Sequence, residues 1–350
     1  MTGTRGIFPG DFWRIWGSYC FQLLSCEVFS YAAARKQGGG KMGKLKDKIQ
    51  NIKMPHTYVI LTMILLTVVA LTYIIPAGEY DRILDPVSNK MMAITVDHAT
   101  SRGIAPMTGI QDVQSAIDKI ILGKPDAMTM TKGIAERCMY QHAGKVSILM
   151  KISNYSPVAP TKDTIFGTVD EAIRMGADAV SMGCMTLGNF QGEQFEAIGR
   201  VAEECMRKGM PLIGHVYPKG ESVPADKRTA WENIAYCVRS ACELGMDIVK
   251  TTYTGDPDSM AKAIACVPSS FRVVIQGGDS CKTLDDYLEM TREAMDCGVG
   301  GVTMGRFVWD YKDVTALVIA LRYMIHHGYG VKEAKELLAQ LENDKNYGDF

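Results

Sequence analysis

The chain has no excess of either charge: 38 lysines and arginines stand against 39 aspartates and glutamates in 350 residues, a net charge of −1. That balance excludes a basic nucleic-acid scaffold, and no nucleic-acid partner is expected. There is no Cys-x-x-Cys pair, and the 10 cysteines are scattered. A reduced interior therefore replaces a secreted disulfide framework, with Cys184, Cys205, Cys237, Cys242, Cys266, Cys281 and Cys297 read as small buried hydrophobes. Histidines number only 6; His98, His142 and His215 have no recognised ligand spacing, and His326-His327 fall in a late helical segment, so no metal is expected. Beyond residue 90 no apolar run exceeds strand length, which excludes a many-span carrier. At 47% hydrophobic and 22% charged, the chain is too apolar for disorder and has the size of one large domain plus an appendage.

What is present divides near residue 90. Thr57–Ala77 is a run of 21 residues without a charge, 16 of them apolar, long enough to cross a bilayer as a helix; a buried core helix is the other reading. A transmembrane helix is thus expected over 54–78, after an unassigned basic region, 1–53. Within that region residues 1–40, with Trp13, Trp16 and the linker Gly38-Gly39-Gly40, match no pattern and read as a fused or mis-started segment. Arg35, Lys36, Lys41, Lys44, Lys46, Lys48 and Lys53 precede the span against Asp47 alone, whereas Glu79, Asp81 and Asp85 follow it, which places the N-terminus in the cytoplasm. Met54-Pro55-His56-Thr57-Tyr58-Val59-Ile60 and Leu71-Thr72-Tyr73-Ile74-Ile75-Pro76-Ala77-Gly78-Glu79-Tyr80-Asp81-Arg82 resemble the first span of a basic amino-acid antiporter and C4-dicarboxylate carrier family. The resemblance stops there and implies membrane association through 57–77 rather than transport.

Residues 82–335 follow a different rule. Short apolar runs recur at 92–97, 127–130, 146–151, 179–185, 212–217, 248–253, 272–277 and 301–306, separated by helical periodicity such as Gln191–Lys208, Thr229–Leu244 and Leu284–Cys297. Eight strand–helix units in about 250 residues make an α/β fold of the (β/α)8 TIM-barrel class, with a single N-terminal transmembrane-like helix and a C-terminal helix and tail over 336–350. A doubly wound sheet usually carries Gly-x-Gly-x-x-Gly after its first strand; here that stretch reads Asp97-His98-Ala99-Thr100-Ser101-Arg102-Gly103. Gly176, Gly209, Gly245 and Gly298 end helices shortly before strands, and Asp256-Pro257 reads as an N-cap with proline at the first helical position.

Catalytic groups of a barrel collect at the C-terminal ends of its strands. Four such ends carry side chains a packed core would not choose: Asp97, Tyr217, Lys250 and Arg306. Lys250 shares a face with Ile248 and Thr252, which puts its ammonium inside the barrel or against the helices. Desolvation would lower its pKa and make the amine nucleophilic toward a ketone; a structural ion pair is the alternative. Lys132 and Lys151 are rival amines on the same pattern. Tyr217, on one face with Ile213 and His215, could move a proton or merely pack, and Asp97 could orient that proton while His98 points away. The turns Gln276-Gly277-Gly278-Asp279-Ser280 and Met304-Gly305-Arg306 follow strands seven and eight, where this fold commonly binds phosphate.

Ile94-Thr95-Val96-Asp97-His98, Tyr217-Pro218-Lys219-Gly220, Asp247-Ile248-Val249-Lys250-Thr251-Thr252-Tyr253-Thr254-Gly255-Asp256, Gly277-Gly278 and Met304-Gly305-Arg306 together resemble the class I, Schiff-base aldolases of the archaeal fructose-bisphosphate aldolase type. That group is similar to 2-amino-3,7-dideoxy-D-threo-hept-6-ulosonate synthase and to the autoinducer-2 phosphate thiolase. The resemblance, over residues 82–331, implies Lys250 as the Schiff-base lysine, Tyr217 as acid/base, Asp97 as its assistant, and Gly277, Gly278, Gly305 and Arg306 as the phosphate site. It implies a phosphorylated sugar or ketone as substrate, no cofactor, no metal and a homo-oligomer. Ala99 stands where a glycine is usual, Lys219 where an arginine is, and Asp279, where a proline is common, sets a negative charge beside the phosphate turn. The Tyr-Pro segment favours the aldolases over the thiolase branch. The expected function is carbon–carbon bond cleavage or formation in a phosphorylated ketose. The alternatives are a synthase-like transaldolase, a phosphorylated-dione thiolase, and a membrane-anchored protein with an inactive barrel. Phosphosugar chemistry belongs in the cytoplasm, in conflict with a span that would export the barrel.

Overall fold

A computed structural model describes residues 82–350, apart from 104–106 and 278–280. The chain divides into two compact units, Met1–Ala77 and Gly78–Phe350, and the described residues all belong to the second. The expected span over 54–78 and the basic region before it lie outside the described residues. Among the described residues no helix is long and apolar enough to cross a membrane.

In chain order the strands are β1 (Met91–Thr95), β2 (Ala127–Thr131), β3 (Ser147–Lys151), a hairpin of β4 (Ser153–Ser156) and β5 (Ala159–Ile165), then β6 (Ala179–Met185), β7 (Leu212–Tyr217), β8 (Ile248–Thr251), β9 (Arg272–Gln276) and β10 (Gly301–Met304). All but the hairpin pair in parallel and close into a barrel in the order β1-β10-β9-β8-β7-β6-β3-β2. Each of the eight expected runs is therefore a barrel strand. Four of them end two residues or so early: β1 stops at Thr95, β8 at Thr251, β9 at Gln276 and β10 at Met304, because the backbone leaves the ladder to carry the following side chains over the mouth.

Alternation sorts each strand into two sets. Met91, Ala93, Ala127, Leu149, Ala179, Ile213, Ile248 and Val274 fill the lower barrel interior, closed from below by Ile83 and Leu84. That floor is held where Ser88 Oγ and His326 Nδ1 hydrogen-bond at 2.7 Å. The intervening residues, such as Met92, Met128, Val180, Val249 and Ile275, pack outward against helices α1 (Ala99–Arg102), α2 (Val113–Leu122), α3 (Lys132–Cys138), α4 (Val169–Arg174), α5 (Gln191–Lys208), α6 (Trp231–Glu243), α7 (Pro257–Ile264), α8 (Leu284–Asp296), α9 (Arg306–Trp309), α10 (Val314–His326) and α11 (Val331–Asp344). In α5 the buried stripe Gln194, Ile198, Val201, Ala202 and Cys205 follows the helical period, and Gly209 ends the helix in the left-handed conformation. Asp256 caps α7 by accepting the Ser259 N–H at 2.8 Å, with Pro257 as its first residue.

Strand register is set by a repeated carboxylate clamp. Asp126, Asp178 and Asp247 each stand immediately before a strand and donate a backbone N–H to the preceding barrel strand, at Met92 O, Ile148 O and Leu212 O. Each carboxylate then accepts the N–H of that same residue, at 2.6 Å from Met92, 3.0 Å from Ile148 and 2.8 Å from Leu212. A backbone bond at the carbonyl and a charge-assisted bond at the N–H of one residue together oppose a slip, which in a strand would move every inward side chain to the other face.

Candidate active site

The alternation that buries the apolar floor puts Thr95, Thr129, Lys151, Ser181, His215, Lys250 and Thr303 one layer higher, all buried and all polar. Lys250 is 6% exposed and lies in register with His215 on β7 and Val274 on β9, so its side chain is inside the barrel. Above this ring opens a cavity of about 390 Å³. Asp97, Tyr217, Lys250, Gly277, Gly305 and Arg306 border it together, although they come from five different strand ends. Gly278 and Asp279, of the turn after β9, lie outside the described residues. Of the rival amines, Lys151 borders the cavity at 2% exposure, whereas Lys132 opens α3, is 41% exposed at its side chain and pairs with Glu171 at 2.8 Å.

Local packing fixes these groups. Tyr217 carries the Lys219 ammonium over its ring, 5.0 Å from the centroid. Asp97 is steadied through its carbonyl, which accepts the Asn154 side-chain N–H at 3.0 Å. At the β1–β10 seam Thr95 Oγ1 donates to Met304 O at 3.0 Å and Trp309 Nε1 to Thr95 O at 3.2 Å, which anchors α9 and Arg306 at its start. Gly305 cannot be replaced without movement: a Cβ there would lie 2.8 Å from both His98 Cε1 and Thr95 Oγ1.

His98 does not point away as the sequence implied. Beyond Thr95 the chain has left the strand, alternation no longer governs, and the imidazole borders the cavity 3.7 Å from Asp97 and edge-on to Trp309. Burial lowers it to about 4; Asp97 opposes that shift, while Lys250, Arg102 and Arg306 add to it. His215 is held well below the usual histidine range by burial, then by Lys151, Lys250 and His98. Both rings are therefore neutral at physiological pH. Asp163, which sequence reasoning missed, also borders the cavity; burial raises its carboxyl, against the pull of Lys151. Five basic side chains line the cavity, Arg102, Lys151, Lys219, Lys250 and Arg306. Of the three acids Asp97, Asp163 and Asp310, the last is spent on the Thr108 hydroxyl and the Gly109 N–H, at 2.7 and 2.8 Å. The balance suits an anionic ligand. Cys184, Cys205 and Cys237 are buried as expected, whereas Cys242, Cys266, Cys281 and Cys297 are half-buried and Cys281 borders the cavity. Among the described residues no group of three or more His, Cys, Asp or Glu is arranged to hold a metal.

Residues 91–311, the whole barrel wall with its strand-end loops, match the DeoC/LacD family aldolases. The chain belongs to that family. Among its relatives, the 2-amino-3,7-dideoxy-D-threo-hept-6-ulosonate synthase of Halobacterium salinarum is 29% identical over 240 residues, 68% of this chain and 87% of its own. A fructose-bisphosphate aldolase class 1 from the same organism is 30% identical over 257 residues, 71% of this chain and 96% of its own. The structure of an archaeal fructose-1,6-bisphosphate aldolase, with its catalytic lysine covalently bound to the carbinolamine intermediate of the substrate, superposes with a TM-score of 0.66 at 26% identity, covering 71% of this chain and 99% of the other. The family match begins at residue 91 and gives the carrier resemblance of 54–82 no support.

Proposed function

We propose that this chain is a metal-independent class I aldolase that makes or breaks a carbon–carbon bond in a phosphorylated ketose through an imine on Lys250. The observation that carries the reading is the position of Lys250: inward on β8, buried, and bordering one cavity with Tyr217 and Asp97. Its amine adds to the ketone carbonyl, and loss of water leaves an iminium. As the adjacent bond breaks, its electron pair enters the enamine on Lys250 and the neighbouring hydroxyl gives up its proton. An aldehyde departs, the enamine is reprotonated at carbon, and water releases the ketone. Tyr217 serves as the acid/base, with Asp97 assisting the transfer. The Gly305 backbone N–H and the Arg306 guanidinium hold the phosphate, and Gly277 allows its close approach without donating, because the Gly277 N–H is given to Thr303 O.

Cleavage of fructose 1,6-bisphosphate by the full-length protein, followed through triose phosphate release, tests the proposal. Activity that persists in EDTA and vanishes in Lys250→Ala supports it; a Lys250→Ala protein that still turns over defeats it. A transaldolase reading, motivated by the synthase among the relatives, shares the imine and differs in the acceptor, so ketose donors paired with different aldehydes separate the two.

A further inference from the structure

Three tyrosines near the surface tie their hydroxyls to a carboxylate: Tyr253 donates to Glu293 at 3.1 Å, Tyr311 to Glu342 at 2.8 Å and Tyr347 to Asp313 at 2.9 Å. Tyr287 does not. It is fully buried on α8 and borders the cavity, yet its hydroxyl oxygen has no hydrogen-bond partner. A buried phenol usually finds one, since without it the hydroxyl forfeits the hydration it had in the unfolded chain. Its placement is not loose. A capping box starts α8, Thr283 Oγ1 accepting the Asp286 N–H at 3.1 Å and the Asp286 carboxylate accepting the Thr283 N–H at 3.0 Å, and Tyr287 is the next residue. Its ring stacks on that of Phe307, which directly follows Arg306, with centroids 4.2 Å and planes 14° apart. Its hydroxyl lies against Gly277, where a Cβ would fall 2.8 Å from the oxygen and 3.2 Å from Cε2. The phenol is thus fixed between the two glycine turns, meeting the first with its oxygen and the second through Phe307.

We propose that Tyr287 is a further phosphate-binding residue, its O–H donating to an oxygen of the substrate phosphate held by Gly305 and Arg306. The inference rests on the phosphate site of the reading above and adds a donor to it. Gly277 supplies none, because its N–H goes to Thr303 O at 3.2 Å; its contribution is the missing side chain, which leaves the hydroxyl room. Burial, with Cys281 adding to it, holds the phenol well above the usual tyrosine range, so it keeps its proton and remains a donor at physiological pH. A bond from that O–H to a phosphate oxygen is charge-assisted. The consequence is selection for a phosphate monoester: a ketone without the phosphate leaves the hydroxyl as unpaired as before.

The test compares the full-length protein with Tyr287→Phe, which keeps the ring and its stack and removes only the oxygen. Borohydride trapping at Lys250 is titrated with dihydroxyacetone phosphate and with dihydroxyacetone, and the rise in melting temperature caused by inorganic phosphate is followed without any ketone. In the variant the dihydroxyacetone phosphate concentration for half-maximal trapping should rise about tenfold or more, that of dihydroxyacetone should stay the same, and the shift produced by phosphate should shrink. The ligand-free variant should melt no lower than the wild type, because the hydroxyl has no bond within the protein to lose. Equal changes with both ketones, no change with either, or an undiminished phosphate shift overturns the proposal. So does a ligand-free variant that melts lower, which would give the hydroxyl a structural bond instead. A wild type that phosphate stabilises but that neither ketone labels defeats the Schiff-base reading and leaves the phosphate shift to judge Tyr287. A wild type that phosphate does not stabilise, and that both ketones label equally well, defeats the phosphate site and this inference with it.

Discussion

Substituting His98 by glutamine probes the electrostatics of the barrel mouth through stability. In the folded protein this imidazole takes a proton only at about pH 4, whereas an unfolded histidine does so near 6.5. Between those values the unfolded chain binds more protons, so the stability owed to a neutral His98 is complete above pH 6.5 and is lost as the pH falls through 4. At 1.36 kcal/mol per pH unit the whole difference is about 3 kcal/mol, and about 2 kcal/mol of it is gone by pH 5. Urea unfolding of the wild type and of His98→Gln at pH 7 and pH 5 reads this term, because groups that do not face His98 contribute equally to both proteins and burial, ahead of His98, is the first cause of the His215 shift. The wild type should lose about 2 kcal/mol more than the variant over that interval. Equal losses would refute the reasoning that burial, with Lys250, Arg102 and Arg306 nearby, keeps this ring neutral.

Two further outcomes follow from named contacts. Tyr217→Phe should lower turnover by about 10²-fold or more while leaving borohydride trapping at Lys250 intact; a parallel loss of trapping would assign the tyrosine to imine formation instead. Asp178→Ala removes a clamp on Ile148 N–H, so thermal unfolding should report a loss of about 2 kcal/mol, and an unchanged melting temperature would deny the clamp its role in strand register.

The barrel was legible because parallel strands covered on both faces read as short continuous apolar runs between helical segments. Ala179–Met185 and Leu212–Tyr217 agree with that reading residue for residue. The same pattern overshot at Asp97 and Arg306, since an apolar run does not announce where its backbone leaves the ladder. It also left Lys132, Lys151 and Lys250 equivalent. Only the closed barrel distinguishes them, by turning Lys132 into the first residue of α3 and the other two inward. The hairpin was not legible at all: Ser153–Ser156 and Ala159–Ile165 are polar, interrupted by Pro157 and Pro160, and held by Gln194 and Glu193, some thirty residues on. Asp163 was hidden with it. His98 was misread because alternation was extended past the end of β1, where it no longer applies.

The central claim is a covalent one, and mass spectrometry addresses it directly. The full-length protein is incubated with dihydroxyacetone phosphate, reduced with borohydride and digested. The account predicts the added substrate mass on the peptide carrying Lys250, none on those carrying Lys132 or Lys151, and none in Lys250→Ala. A label on Lys151, or one that survives Lys250→Ala, would contradict it.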